Sequence, residues 1–371
     1  MHPRIGYSCR MKHIVVSHTA ALALLARIPD PRYGDNAAPG SDPFVLSDAD
    51  IPTDSEAAEI IETMHLEIQR LDVLTTDPQA RRHSKHLTTH LCTKPLPAES
   101  FISIDYWRKD VTLYVACPEL AFLQALSIGD DLDAIYAGYM LTSDYRIDRL
   151  EPSGVVNRQD AWCDGRLTTK AKISAYLDLY PSKRSARDAR YLLRYVHEAS
   201  RSPRESALAM FFSLPQSRGG QNAGSVVLNP RLSIRDGDKV LERYPDILLT
   251  AHAQRESKCL GNKTGDITKA ALDYDSDAEH RQSDRIDHDA QRRNELEMLH
   301  GIAHFTITKT QANSFKRLVD LAKSIKRKLR IRNGIRLPSN LSEHERAIKS
   351  REILEQQYSL WERFIETPQR W

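Results

Sequence analysis

Carboxylates stand where they could share a divalent cation in the second half of this 371-residue sequence. Asp246 directly precedes an apolar run, and Asp273 and Asp275 end a second short run. Neighbouring strands that each carry a carboxylate at one end can bring the oxygens together, and residues two apart share one side of a strand. Magnesium binds oxygen ligands and keeps several waters, so two or three carboxylates suffice. The pattern predicts a Mg²⁺ site, at which Mn²⁺ is an alternative, with Asp246 and Asp273 as metal ligands.

Phosphodiester hydrolysis is the chemistry that such a site would support, because a bound cation polarises the ester and activates water. In this interpretation Asp275 and Glu205 assist, and His280 orients or deprotonates the water. Several of these residues also have purely structural interpretations. Glu205 occupies the third position of a capping box, and Asp246 fits a turn. His280 lies in a polar stretch typical of solvent-exposed histidines, and Asp266 is an alternative first acid.

Short alternating or apolar runs predict the elements that must position these acids. The predicted strands are 226–228, 246–249, 270–274 and 303–307, and the predicted helices are 185–199, 202–214, 287–299 and 315–329. This order of elements predicts a mixed sheet flanked by helices, within an α/β (α+β overall) fold. In the first half of the chain, helices are predicted at 17–28, 54–74 and 118–126, with a hairpin of strands at 101–105 and 111–115.

Composition excludes several classes of protein. Hydrophobic residues make up 40% and charged residues 28% of the chain, with a net charge of +3, which favours a packed core over disorder throughout. No apolar run approaches the ~20 residues of a membrane span, so an integral membrane protein is excluded. Five dispersed cysteines fit a reducing cytoplasm rather than a disulfide scaffold. Polar residues interrupt the apolar run at 14–26, which argues against a signal peptide, and Met11 is an alternative start.

Basic residues are concentrated in two segments, 184–194 and 316–336. A segregated positive surface commonly meets phosphates, although a charge run is also typical of a merely solvated face. We expect DNA binding by these residues. The candidates are Arg292, Arg293, Lys323, Lys326, Arg327, Lys328 and Arg330.

The acidic segments resemble a known family. The pair PD at 245–246, the segment LDYDS at 272–276 and His280 resemble the core of the PD-(D/E)XK, or restriction-endonuclease-like, superfamily. More narrowly, they look like an uncharacterised bacterial branch related to very-short-patch mismatch-repair endonucleases. Two departures stand out: Asp273 replaces the usual Glu, and Asp275 replaces the Lys of the signature. The resemblance suggests His280 or Lys269 as a substitute for that Lys.

The N-terminal half has its own resemblance. The segments VSHTAAL at 16–22 and CPEL at 117–120 resemble a region of AbiE-type abortive-infection antitoxins, which implies a DNA-binding or regulatory role. The expected domains are a smaller α+β domain at 1–150, a connector at 151–184, an endonuclease-like domain at 185–335 and a helical extension at 336–371.

The leading hypothesis is a cytoplasmic, Mg²⁺-dependent DNA endonuclease of defence or repair. The alternative is a catalytically degenerate DNA-binding regulator, such as an antitoxin-like repressor, and a third is an interaction module of a defence system. DNA is the expected partner, together with a second copy of the chain or a cognate defence-system protein, and no membrane is expected.

Overall fold

Two compact units make up the protein in the computed structural model, one ending at Arg194 and the other beginning at Tyr195. The structure describes residues 11–28, 45–97, 99–104, 106, 108–148, 150–158, 165–236, 239–251, 268–275, 301–335 and 337–367. The described residues form mixed sheets and helices, so the coarse expectation of an α/β (α+β overall) protein is confirmed. The sequence-based start of the second domain, residue 185, falls inside a helix of the first unit.

The first unit contains a five-stranded sheet with the order β3-β2-β1-β5-β4 and a separate β6–β7 hairpin. Parallel pairs (β1–β5 and β2–β3) and antiparallel pairs (β1–β2 and β4–β5) are both present, and β4–β5 is the predicted hairpin. The strands are β1 Lys12–Val16, β2 Leu71–Thr75, β3 Leu87–Leu91, β4 Phe101–Ile104, β5 Val111–Ala116, β6 Tyr145–Ile147 and β7 Val155–Asn157.

Six helices accompany this sheet among the described residues. They are α1 His18–Leu25, α2 Asp54–Thr63, α3 Pro118–Ala125, α4 Asp131–Leu141, α5 Lys170–Leu179 and α6 Lys183–Leu193. The single helix predicted over 54–74 is wrong in its second half, because Leu71–Thr75 is the strand β2. The apolar residues of that segment fit both the helical and the strand period, and pairing with β1 and β3 decides the outcome.

A histidine pair lies beside the carboxyl end of β1. His18 has a left-handed backbone (φ 49°) and stacks on His90, with ring centroids 3.7 Å apart. Nε2 of His90 lies 2.8 Å from Oδ1 of Asp72. Burial, followed by the neighbouring His90, lowers the pKa of His18 to about 4. His18 therefore stays neutral at physiological pH.

The second unit contains a four-stranded sheet with the order β13-β12-β11-β8 and a separate β9–β10 hairpin. Its strands are β8 Ser225–Leu228, β9 Leu232–Asp236, β10 Lys239–Arg243, β11 Ile247–Thr250, β12 Lys269–Asp275 and β13 Ile302–Thr308. Its helices among the described residues are α7 Pro203–Ser213, α8 Lys309–Ala312, α9 Phe315–Lys328 and α10 Glu343–Leu360. The helix predicted over 287–299 lies outside the described residues.

The register of this sheet determines where its acids lie. β11 runs antiparallel to both β8 and β12, and β12 runs parallel to β13. Ile247 pairs with Leu272 and Ala271 pairs with His304. The strand centres are apolar and buried, with Leu249, Leu272 and Ile307 fully inaccessible. The polar residues therefore collect where β11 begins and where β12 and β13 end.

The C-terminal helix packs within the second unit. Ser342 and Glu345 form the predicted capping box at the start of α10. A π-helical turn, Trp361–Glu366, continues the helix, and the indole Nε1 of Trp361 donates to the carbonyl of Ala312 at 2.8 Å. The side chain of Gln357 donates to the carbonyl of Gly220 at 3.2 Å. These hydrogen bonds hold α10 and the π-helical turn within the second unit, whereas the sequence predicts a separate helical extension over 336–371.

Candidate active site

Asp246 and Asp273 lie opposite each other at one end of the β11–β12 pair. Ile247 pairs with Leu272, and the two strands are antiparallel. Asp246, which precedes Ile247, therefore faces Asp273, which follows Leu272. The backbone N–H of Asp246 lies 3.2 Å from Oδ1 of Asp273, and the N–H of Tyr274 donates to Oδ2 of Asp246 at 2.7 Å. The two predicted metal ligands are therefore adjacent and held by reciprocal hydrogen bonds.

His304 on β13 completes one side of this acid pair. Its Nε2 lies 2.8 Å from Oδ2 of Asp273, and the exposed fractions of the two side chains are 4% and 17%. An ionised carboxylate only accepts hydrogen bonds, so Nε2 carries the proton and donates to Asp273. The other ring nitrogen, Nδ1, is buried and has no hydrogen-bond partner among the described residues. Among the described residues the ring is therefore held by a hydrogen bond through Nε2 alone.

Glu205 is buried in the first turn of α7 and is bound from several sides. Its Oε2 accepts from the backbone N–H of Arg201 and from the side-chain amide of Asn229, both at 2.8 Å. Ser202 Oγ lies 3.2 Å from Oε1 and accepts from the backbone N–H of Glu205. Burial raises the pKa of the Glu205 carboxyl, while these hydrogen bonds act in the opposite direction. Ser202 therefore caps α7 as predicted, but the Glu205 carboxylate accepts from the N–H of Arg201 instead of that of Ser202, so the capping box is only half formed.

Asn229 joins Glu205 to the acid pair. While its side chain binds Glu205, its backbone N–H donates to the carbonyl of Asp246 at 2.9 Å. The backbone of Asn229 is left-handed (φ 46°), a conformation that asparagine adopts more readily than most residues. Glu205 therefore lies one residue away from Asp246 in a hydrogen-bonded chain, rather than directly on it.

Arg204 links Tyr274 on β12 to the chain that follows β13. Its guanidinium carbon lies 5.6 Å from the centroid of the Tyr274 ring. Its Nη1 donates to Oδ1 of Asn313, at 3.2 Å, and to the carbonyl of Ile365. A cation thus stands between Tyr274, which follows Asp273, and the chain that leaves β13.

Asp275 follows Asp273 by two residues at the end of β12. It ends β12 opposite Thr308 and is half-buried on the same face as Asp273. Lys269, which the resemblance suggests as a substitute for the Lys of the nuclease signature, is exposed at the other end of β12, ~13 Å along the strand from Asp273 at about 3.3 Å per residue. That suggestion from the sequence is corrected.

The donor set suits a hard cation held by two carboxylates. Among the residues that the structure describes, no group of three or more His, Cys, Asp or Glu side chains is arranged to hold a metal ion. Magnesium, however, keeps several waters and is commonly bound by one or two carboxylates. A carboxylate oxygen that accepts one hydrogen bond keeps a second lone pair. The hydrogen bonds of Asp246 and Asp273 are therefore compatible with metal binding.

The predicted phosphate-binding residues of α9 and of the turn that follows it do not all face solvent. Lys323, Arg327, Lys328 and Arg330 are exposed, but Lys326 is only 4% exposed. Lys326 follows the buried Ile325 on the inner side of the helix, so its assignment to DNA is corrected. His280, Arg292, Arg293 and the alternative acid Asp266 lie outside the described residues.

Sequence reasoning did not select His304, Asn229 or Arg204 as site residues. A histidine inside the apolar run of β13 was a usable signal, because a buried imidazole needs a polar partner. Asn229 and Arg204 carried no comparable signal, since isolated polar residues beside a strand or in a helix's first turn are common.

None of the described helices combines the length and the apolar composition required to cross a bilayer. Comparison of the chain with protein-family models, with curated proteins and with solved structures gave no match.

Proposed function

We propose that the second unit is a metal-dependent phosphodiester hydrolase that acts on DNA. The observation that carries the proposal is the facing of Asp246 and Asp273 on neighbouring strands, joined by two hydrogen bonds. The order of a helix, three antiparallel strands and a fourth strand parallel to the third supports a restriction-endonuclease-like assignment. The resemblance of segments 245–246 and 272–276 to that superfamily points the same way.

Each residue of the site has a role in this proposal. Asp246 and Asp273 would hold Mg²⁺ or Mn²⁺, which when bound polarises the phosphodiester and lowers the pKa of a bound water. His304 orients the Asp273 carboxylate through Nε2, as outer-shell partners of metal ligands do. Asn229 positions the backbone of Asp246 and holds the Glu205 carboxylate in place.

Asp275 and His280 complete the proposed chemistry. Asp275 assists from the same face of β12, and His280 takes the proton of the attacking water. The exposed cations of α9 and of the turn that follows it hold the DNA backbone through their charge. These cations are Lys323, Arg327, Lys328 and Arg330.

A DNA-binding regulator without catalytic activity is the second candidate. Asp275 favours it, because a carboxylate stands where the nuclease signature has Lys, and Lys269 lies at the far end of the strand. In that case the Asp246–Asp273 hydrogen bonds serve the fold alone.

Cleavage assays separate the two functions. The full chain is incubated with linear, nicked, mismatched and single-stranded DNA in the presence of Mg²⁺ or Mn²⁺, next to Asp273→Ala. Asp320→Ala is the matched control, because Asp320 is exposed on α9 and pairs only at the surface with Lys323. Cleavage by the parent and by D320A, but not by D273A, supports the hydrolase. Equal retardation of DNA by all three without cleavage overturns it in favour of the regulator.

A further inference from the structure

A cleft of about 520 Å³ lies in the second unit where the chain passes from β13 to α9. It is lined by Lys309, Thr310, Asn313, Ser314 and Arg317. Two of these five residues are cationic and none is acidic. Lys309 and Arg317 are exposed, and neither makes an ion pair with another described residue. The lining therefore presents positive charge together with hydroxyl and amide groups, the set that binds a phosphate.

The cleft lies beside the acid pair. Asp275 at the end of β12 pairs with Thr308, and Lys309 follows directly at the start of α8. Arg204 donates to Asn313 of the cleft and lies over the ring of Tyr274, the residue that follows Asp273. It therefore adds a third cation beside the cleft.

The cations selected from the sequence lie farther away. At about 1.5 Å per residue, Lys323 is ~9 Å and Arg327 ~15 Å along the α9 axis from Arg317. Ser314, the residue before α9, makes no side-chain hydrogen bond to the helix, so its hydroxyl is available to a ligand in the cleft. Lys309 and Arg317 thus lie nearer to the end of β13 than the α9 cations selected from the sequence.

We infer that this cleft binds one backbone phosphate of DNA, next to the phosphodiester presented to Asp246 and Asp273. The inference rests on the proposed function for the identity of the ligand, but binding needs no catalysis. Lys309 and Arg317 supply the charge, and Thr310, Asn313 and Ser314 supply hydrogen bonds. The phosphate would fix the register of the strand on the acids, because backbone contacts position a protein on DNA without reading its sequence.

The test measures DNA binding in EDTA, so that cleavage plays no part. The probes are a 20-base-pair duplex and its single strands, each made as a set with one methylphosphonate, an uncharged linkage, at successive positions. The variant is Lys309→Ala/Arg317→Ala. Its matched control is Lys349→Ala/Arg351→Ala, which removes two exposed cations of α10 in the same unit. Thermal melting verifies that both variants are folded.

We expect the K309A/R317A variant to bind the all-phosphate probe about tenfold more weakly than the parent, and the control variant to bind within about twofold. One methylphosphonate position should weaken binding by the parent to the same degree and leave the variant unaffected. Parent-like binding by the variant, or additive losses at every position, overturns the phosphate site. If the parent and the variant bind DNA as expected but the parent cleaves no DNA with Mg²⁺ or Mn²⁺, the proposed hydrolase function is overturned and the proposed phosphate site is supported. If the parent cleaves DNA but the variant binds DNA as tightly as the parent, the phosphate site is overturned and the hydrolase proposal stands.

Discussion

His304 donates from Nε2 to Oδ2 of Asp273 across the parallel pair β12–β13, at a distance of 2.8 Å. The two residues are offset by two positions in the register, because His304 pairs with Ala271 and Asp273 pairs with Thr306. All of these residues face one side of the sheet, since the side-chain period of a strand is two. The imidazole therefore approaches the carboxylate diagonally across the two strands.

Replacement of His304 tests this hydrogen bond as a positioning interaction. We expect H304A to weaken Mn²⁺ binding and metal-dependent cleavage by roughly 10–100-fold, the usual effect of losing an outer-shell partner. H304Q should restore part of both, because the amide nitrogen of Gln reaches about as far as Nε2. Metal titration followed by cleavage rates measures the effect. An unchanged metal affinity in H304A, with the exposed control H344A also unchanged, would exclude a positioning role.

Substitutions of Glu205 separate its hydrogen bonds from its charge. E205A leaves the Asn229 amide and the Arg201 N–H without their acceptor, so we expect a loss of about 1–3 kcal/mol in the free energy of unfolding. E205Q keeps an acceptor for both donors and should be far less destabilised. Urea denaturation measures both values, and equal losses in the two variants would contradict this account.

The free energy of unfolding of E205Q, compared with that of the parent, should depend on pH. Because burial raises the pKa of Glu205, the folded state favours its protonated form, and that stabilisation is lost as pH rises through the raised pKa. The stability of E205Q relative to the parent should therefore increase as pH rises from below the ordinary carboxyl pKa toward neutral pH. A difference that stays constant or decreases over this range would contradict the raised pKa.

Acid should destabilise the first unit through His18. The pKa of His18 is lowered from 6.5 to about 4, so the unfolded state binds the proton more tightly, and stability falls as pH drops from about 6.5 toward 4. At about 1.4 kcal/mol per pH unit, the loss reaches at most about 3 kcal/mol. H18N is the matched variant, because asparagine tolerates the left-handed backbone and does not titrate. Its unfolding profile should be flatter by that amount, and parallel profiles would refute the effect.

Lys326 and its neighbour Arg327 should behave differently in DNA binding. R327A removes an exposed cation, so we expect weaker binding and a salt-dependence slope that is shallower by about 0.9, because one fewer phosphate is neutralised. K326M keeps the apolar stem of a buried side chain, and its affinity and salt dependence should match those of the parent. Titrations at several salt concentrations measure both slopes. A reduced slope in K326M would return Lys326 to the DNA-binding set.

The acid pair could be located from the sequence because its signal is local. Asp246 and Asp273 each lie at the end of an apolar run that is long enough for only one strand. Two such runs bury their apolar side chains by pairing as neighbouring strands in a sheet. The segment 54–74 misled the same reasoning, because Leu71 satisfies the period of α2 as well as that of β2. The hydrogen bond between His304 and Asp273 depends on the register of two strands separated by a long connection. No local pattern specifies that register, so the histidine could not be assigned to the site.

The connection between β11 and β12 leaves at Thr250 and returns at Lys269, and these two residues pair with each other. Asp246 and Asp273 lie at the opposite end of the same two strands. Residues added to or removed from that connection change the spacing of the acids in sequence, which is 27 residues here, but not their separation in space. Evolution or protein engineering can thus use this junction as an insertion point, for a reporter or an affinity tag, without disturbing the carboxylates.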